Sequence, residues 1–295
     1  MTAASPAGVS TAGAEALAQR RNRALAKFMS NPTALFGAVL VLTFVVLAVF
    51  AHWVAPYDPN KTNFLMLRKA PSAMHWLGTD EIGRDILSRL IHGGIASLYA
   101  GVVSVFIALF VGMPIGLVAG WFGGWLDALI SRATDALLAV PFLILAIAFA
   151  AALGPSLTNA MIAIGLSQVP IFVRLTRGQV LAVKTEDFVE GARAVGVPNR
   201  LILLRHITPN IFAPLVVQAT LTVATAIIAE ASLSFLGLGQ QPPAPSWGSM
   251  LNTAKNYMDS APWMSISPGI AIVLVVLGFN LLGDGLRDAL DPREQ

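Results

Sequence analysis

The chain has 295 residues, of which 56% are hydrophobic and only 12% charged, with no cysteine and a formal net charge of +3. An ordinary soluble domain carries about 25% charged residues, and so little charge cannot screen so much apolar surface from water, so a soluble globular protein is excluded and lipid is the main solvent. Disulfides, thiolate nucleophiles and Cys-ligated metal centres are excluded with the cysteines.

A bilayer core about 30 Å thick takes about 20 residues of helix, so charge-free runs locate the spans. Residues 1–31 are Ala/Ser/Thr-rich and then basic, and are expected to form a disordered cytoplasmic tail; with no apolar run ahead of Thr33, the first span reads as an uncleaved anchor. That span is expected over 33–55, closing on His52-Trp53 at the interface. An outer segment, 56–92, follows, with Pro56, Pro59, Pro71 and a charged cluster from Gly78 to Asp85. Mixed charge beside glycine suits a folded, hydrogen-bonded connector.

The second span is expected over 94–119, inside an uncharged run from Gly93 to Leu126. Gly112, Gly116, Gly120 and Gly124 recur every fourth residue, a spacing that brings helix backbones close together. Ala136 to Val173 is uncharged for 38 residues, too long for one span, and Gly154-Pro155-Ser156 divides it into helices expected over 132–153 and 157–175.

A cytoplasmic loop, 176–209, comes next. Phe188, Ala192 and Val195 fall at i, i+4 and i+7, one apolar stripe of a short helix. Asp187 and Glu190 suit its positive N-terminal end, Gly196 stands where a left-handed cap would end it, and Pro198 follows. A second short helix, with Leu201 and Leu204, returns to Pro209. This protruding helix–turn–helix, with Ala192, Ala194 and Gly196 leaving its bend small, is expected to insert into a partner's groove. A helix lying on lipid would prefer a broader apolar face and a more basic polar face.

The fifth span, 210–236, carries Glu230, the one acid well inside a predicted span, read as a polar residue of the bundle or of a transport path. The outer segment 238–264 has four prolines, and Trp247 and Trp263 are expected to anchor it at the interface. The sixth span is expected over 265–286, anchored at its inner end by Asp284, Arg287 and Asp288. With both termini inside, thirteen Lys and Arg are cytoplasmic and six are outside, the bias expected of a membrane protein. The basic pI of 9.5 is therefore an imprint of topology and not a nucleic-acid patch.

Several chemistries are absent. None of the five lysines follows a glycine, so no nucleotide-binding P-loop exists, and neither H-E-x-x-H nor G-x-S-x-G occurs. No catalytic residue, metal ligand or resident cofactor is expected. A transporter, a channel or a scaffold remains.

The stretch Glu190-Gly191-Ala192-Arg193-Ala194-Val195-Gly196, followed by Arg205-His206-Ile207-Thr208-Pro209, resembles the coupling loop of ABC importer permeases, E-A-A-x-x-x-G and then I-x-L-P. It departs from that pattern at Gly191, His206 and Thr208. His75 to Leu90, Leu233 to Gly239 with Pro242 to Gly248, and Phe279 to Asp288 resemble the peptide/nickel class, and within it the second permease of dipeptide, oligopeptide and glutathione importers. This resemblance covers residues 30–292.

The resemblance implies an all-α fold of six transmembrane helices, the type I importer permease fold, over 32–292. It implies a bacterial inner-membrane location and four partners: a second homologous permease, two cytoplasmic ATPase subunits that bind the ATP, and an extracytoplasmic solute-binding protein. Transport would proceed by alternating access, carrying a small peptide-type solute or, as the alternative, a nickel chelate or other cargo of the class. Glu190, Ala192, Arg193, Ala194, Gly196 and Pro209 would couple to the ATPase, and Gly78, Asp80, Gly83, Arg84 and Asp85 would meet the binding protein. The competing reading is a secondary transporter without ATP, which should show paired intramembrane charges or an inverted repeat; the sequence shows neither.

Overall fold

The computed structural model describes residues 25–290. Most of the expected tail therefore lies outside the described residues; residues 25–30 are helical, contrary to the expectation of disorder up to 31. Nine helices of eight residues or more follow among the described residues: α1 (Pro32–Val49), α2 (Ile86–Phe122), α3 (Gly124–Leu138), α4 (Phe142–Leu153), α5 (Leu157–Val183), α6 (Asp187–Ala194), α7 (Thr208–Phe235), α8 (Trp247–Ala254) and α9 (Trp263–Leu290). The only β-bridge among the described residues is a single pair in the connector ahead of α2, Thr79 with Asp85.

Local signals explain the starts and stops. The Asn31 side chain accepts from the Thr33 and Ala34 amides ahead of Pro32, a cap that supplies two of the orphan donors at the start of α1. Asp85 caps α2 through the Ser88 amide, and Ser156 caps α5 through Asn159. As the turn signal predicts, Gly154 adopts a positive φ, 90°, just ahead of Ser156.

Among the described residues five helices are long and apolar enough to cross a membrane, and α3 with α4, bent by 91°, makes a sixth if the pair is counted as one span. The single third helix expected over 132–153 is thus corrected. Pro141 has no N–H to donate and disfavours helical geometry at Val140, so α3 stops at Leu138 and α4 restarts at Phe142 in a new direction. The second span is also longer than expected. At 37 residues α2 is roughly 55 Å long, because Asp85 caps it eight residues before the uncharged run begins and Arg89 is accommodated inside it.

Packing partners give the directions. A Cβ on Gly112 would meet Phe172, one on Gly116 would meet Thr176, and one on Gly120 would meet Val180. Each residue of α2 thus faces the residue about sixty positions later in α5, so these helices run parallel, backbone to backbone. Gly124 does not belong to this stripe: its φ is +60° and open space surrounds it. Gly101 of α2 meets Ile227 of α7, Gly283 of α9 meets Leu221 of α7, and Gly37 of α1 meets Leu281 of α9, each pair antiparallel. The parallel α2 and α5 require the bent α3/α4 to carry the chain back across. Consequently α1 begins and α9 ends on one side, where the Asn31 amide donates to Asp288 at 3.4 Å.

Candidate functional site

Two polar centres sit at opposite ends of α2. The first is the connector between α1 and α2. Asp80 accepts from the Arg84 amide (2.9 Å), from the Ile82 amide (3.1 Å) and from Arg84 Nε (2.6 Å), while Arg84 Nη2 donates to Glu81 at 2.8 Å. Arg89 Nε lies 3.4 Å from Asp80 and its Nη1 donates to the Pro59 carbonyl. Asp85 accepts from the Ser88 amide and hydroxyl and lies 2.9 Å from His75 Nδ1. Gly78 and Gly83, at φ of +81° and +79°, make turns in which a Cβ would strike Lys69 and Asn63.

Asp80, Arg84, Asp85 and Arg89 are all buried. Burial, and next the Asp80 carboxylate, push the Glu81 carboxyl above its ordinary value of 4.5, and its Oε2 has no hydrogen-bond partner among the described residues. The five residues expected to meet a binding protein therefore turn inward or shape turns. They hold the connector's form, and Phe64, Leu65, Met74 and Trp76 make up its exposed apolar surface.

Both tryptophans beyond α7 hold this end together. Trp247, expected at the lipid interface, is 1% exposed, donates its indole N–H to the Leu90 carbonyl at 2.9 Å and meets Phe44 edge-on. Trp263 donates to the Thr79 carbonyl at 3.3 Å, which fastens α9 to the connector. Glu230 is fully buried and accepts from the hydroxyls of Ser97 on α2 and Ser234 on α7. It belongs to the bundle.

The second centre lies at the other end of α2. Val183 ends α5, and after Lys184, Thr185 and Glu186 the chain enters α6 with Asp187 and Glu190 in its first turn. Gly196 has a φ of +77°, and the Val197 amide returns to the Ala192 carbonyl at 3.0 Å, the expected left-handed stop. Nothing stands within 4 Å of a Cβ at Gly196. After Asn199–Leu201 the chain makes a widened turn, Ile202–Ile207, where the Thr208 amide reaches back to the Leu203 carbonyl five residues earlier. Pro209 then stands in the first turn of α7.

The face of α6 differs from the expected stripe. Val189 and Ala192 point inward, while Phe188 and Val195 are exposed, with Val195 80% accessible. Together with Leu201 and Leu204 they give this end an apolar tip facing away from the bundle. Ala192 therefore packs the helix onto its own chain, whereas Arg193, Ala194 and Gly196 lie at the surface.

The hydropathy pattern carries no sign of the polar contacts that join the elements at this end. The Arg193 guanidinium lies 4.4 Å from the centroid of the buried Trp121 ring. Lys184 Nζ donates to the Gly120 carbonyl at 3.0 Å, and Arg177 makes a two-point pair with Asp127 at 2.5 and 2.7 Å. No cluster of three metal-ligating side chains occurs among the described residues.

Residues 112–295 match the family described as "Binding-protein-dependent transport system inner membrane component", and residues 20–71 match the "N-terminal TM domain of oligopeptide transport permease C". The chain is 47% identical to the dipeptide transport system permease protein DppC of Alkalihalophilus pseudofirmus, over 92% of this chain and 89% of that protein. It is 50% identical to the glutathione transport system permease protein GsiD of Shigella flexneri serotype 5b, over 90% and 88%. Among solved structures, it superposes on a chain of the inward-facing MetNI methionine ABC transporter with a TM-score of 0.56 and 22% identity, over 70% of this chain and 98% of that one.

Proposed function

The chain belongs to the inner-membrane permease components of binding-protein-dependent transport systems, and we propose that it pairs with a second permease in an ATP-driven importer of a small peptide-type solute. One observation carries the reading: α6 and its Gly196 turn present an apolar tip, beyond the end of the bundle, that no other described element covers. An exposed apolar tip on a short helix anchored to its own chain by Val189 and Ala192 is what a groove-seated helix requires.

In this reading α6 seats in a cytoplasmic ATPase subunit, which binds and hydrolyses the ATP, and both termini lie on that side. The connector then faces the extracytoplasmic binding protein. The solute class is carried over from the named relatives, whose cargoes are a dipeptide and glutathione. A permease of this kind does no covalent chemistry. Its work is to present one opening or the other of a path, and the free energy comes from differential binding of ATP to the two arrangements.

Co-expression with the partner permease, ATPase subunits and binding protein tests the proposal. Pull-down on this chain should recover the ATPase, and membranes should take up a labelled di- or tripeptide. Gly196→Trp should remove both while the chain remains in the membrane. Wild-type uptake and full ATPase recovery with Gly196→Trp would overturn the reading.

A further inference from the structure

The N-terminal end of α6 is covalently joined to α5 by three residues, Lys184, Thr185 and Glu186. A helix held at one point pivots about it and delivers little torque; a helix held at two points carries its neighbours with it. The second point is at the other end of α6, where Arg193 lies over Trp121. Trp121 stands one residue from the end of α2, only 8% exposed and packed in the hydrophobic core, so its indole is held in place. Next to it, Lys184 supplies the hydrogen-bond partner for the Gly120 carbonyl, one of the carbonyls that a helix end leaves unsatisfied.

Beyond these contacts α2 and α5 form one body. Gly112, Gly116 and Gly120 leave no room for a single added carbon between them, and Ser104 of α2 donates to the Met161 carbonyl of α5 at 3.1 Å. The connection from α6 to α7 has a different backbone geometry. The widened turn at Ile202–Ile207 carries one extra residue per hydrogen-bonded ring, a geometry often found where helices must adjust. Farther along, α7 is held to α2 at the connector end by Ser97 and Glu230. Toward the tip the two helices border an apolar groove of about 300 Å³, lined by Phe106, Leu109, Phe212 and Val216.

We propose that the stack of Arg193 on Trp121 is the linkage through which α6 drives α2 and α5 as a unit, while the Ile202–Ile207 turn lets α7 lag behind. Trp121 is thus a positioning residue for transport, remote from any solute. The inference rests on the proposed function, because it needs α6 to be the element that the ATPase moves. It assigns neighbouring residues at the C-terminal end of α6 separate tasks: Val195 and Gly196 for docking, Arg193 for transmission into the membrane.

The assembled importer in proteoliposomes provides the test, with ATPase recovery, ATP hydrolysis and solute uptake read on the same preparations. Trp121→Ala should keep the ATPase subunits and their hydrolysis, and both it and Arg193→Met should lower uptake per ATP hydrolysed at least tenfold. Trp121→Phe and Arg193→Lys, which keep a ring and a cation, should restore most of it. The double variant Trp121→Ala/Arg193→Met should be no worse than either single one, as expected of partners in one contact. Coupling within twofold of wild type in Arg193→Met, or losses that multiply in the double variant, would overturn the linkage. Should Trp121→Ala fail to reach the membrane, Arg193→Met and Arg193→Lys decide the matter alone, because Arg193 lies at the surface. Failure of the wild-type chain to hold the ATPase would instead overturn the reading of the tip, a separate result.

Discussion

Ser97 and Glu230 stand 133 positions apart in the chain, yet the Ser97 hydroxyl donates to the Glu230 carboxyl at 2.8 Å in a site closed to solvent. Ser234 donates to the other carboxyl oxygen at 2.6 Å. A carboxyl group inside a span is costly unless its oxygens are occupied, and here both are. This contact pins α7 to α2 beneath the connector between α1 and α2.

Removal of that acceptor should be felt as stability. Glu230→Ala leaves two buried hydroxyls without their acceptor, at about 1–3 kcal/mol for each group left unsatisfied. The detergent-solubilised protein should melt several degrees lower, with Glu230→Gln intermediate because its amide oxygen still accepts. An unchanged melting temperature in Glu230→Ala would show that the site is not a clamp.

Arg84→Glu places a third carboxylate beside Asp80 and Glu81 in a buried site. Breaking a buried ion pair by removing one partner costs about 3–5 kcal/mol, and reversing the charge adds repulsion. Membrane abundance of Arg84→Glu should fall sharply, while Trp76→Ala, at the exposed surface of the same connector, should accumulate normally. Quantitative immunoblots of membranes would check this, and normal abundance of Arg84→Glu would contradict a structural role for the network.

The elevated Glu81 ionisation sets a pH dependence. A carboxyl whose folded value lies above its unfolded value of 4.5 binds more protons in the folded state across that interval. Stability therefore falls as pH rises from 4.5 toward the raised value, and the loss persists at neutral pH. Glu81→Gln, which can still accept from Arg84, should flatten this slope. Melting temperatures measured from pH 4.5 to 7.5 would show it, and an unaltered slope would remove Glu81 as the cause.

Gly116→Leu should separate the parallel pair. Its Cβ would lie 2.6 Å from the Thr176 Cβ and 2.7 Å from the Val173 carbonyl, and overpacking of this kind costs about 1–3 kcal/mol or more. Gly178→Ala, with open space around it and no positive φ, is the matched control and should be neutral. Equal thermal stability of the two variants would contradict the close approach of α2 and α5.

The signals that could be read in the sequence were local. Gly154-Pro155-Ser156 divides α4 from α5, Gly196 ends α6, and the glycines at 112, 116 and 120 mark a packing face, because each depends on one backbone requirement or one spacing. What escaped depends on partners distant in the chain. Asp85, expected to meet a binding protein, and Arg89 have partners in His75, Asp80 and Pro59 that the sequence does not bring together. Trp247 looks like an interface anchor until Leu90 accepts its N–H. Val189 replaced Phe188 on the inner face of α6 because a helix of eight residues offers two overlapping apolar stripes, and only the folded chain selects one. Nothing in the sequence links Trp121 to Arg193, 72 positions on.

The most direct test of the account uses the absence of cysteine in the natural chain. Val195→Cys places a thiol at the exposed tip, and Trp76→Cys places one on the connector at the other end. In membranes holding the assembled importer, a short thiol-directed photo-crosslinker should join position 195 to an ATPase subunit and should not join position 76 to it. Crosslinking of position 76 to the ATPase, with position 195 joined to the extracytoplasmic binding protein or left unjoined, would contradict the account.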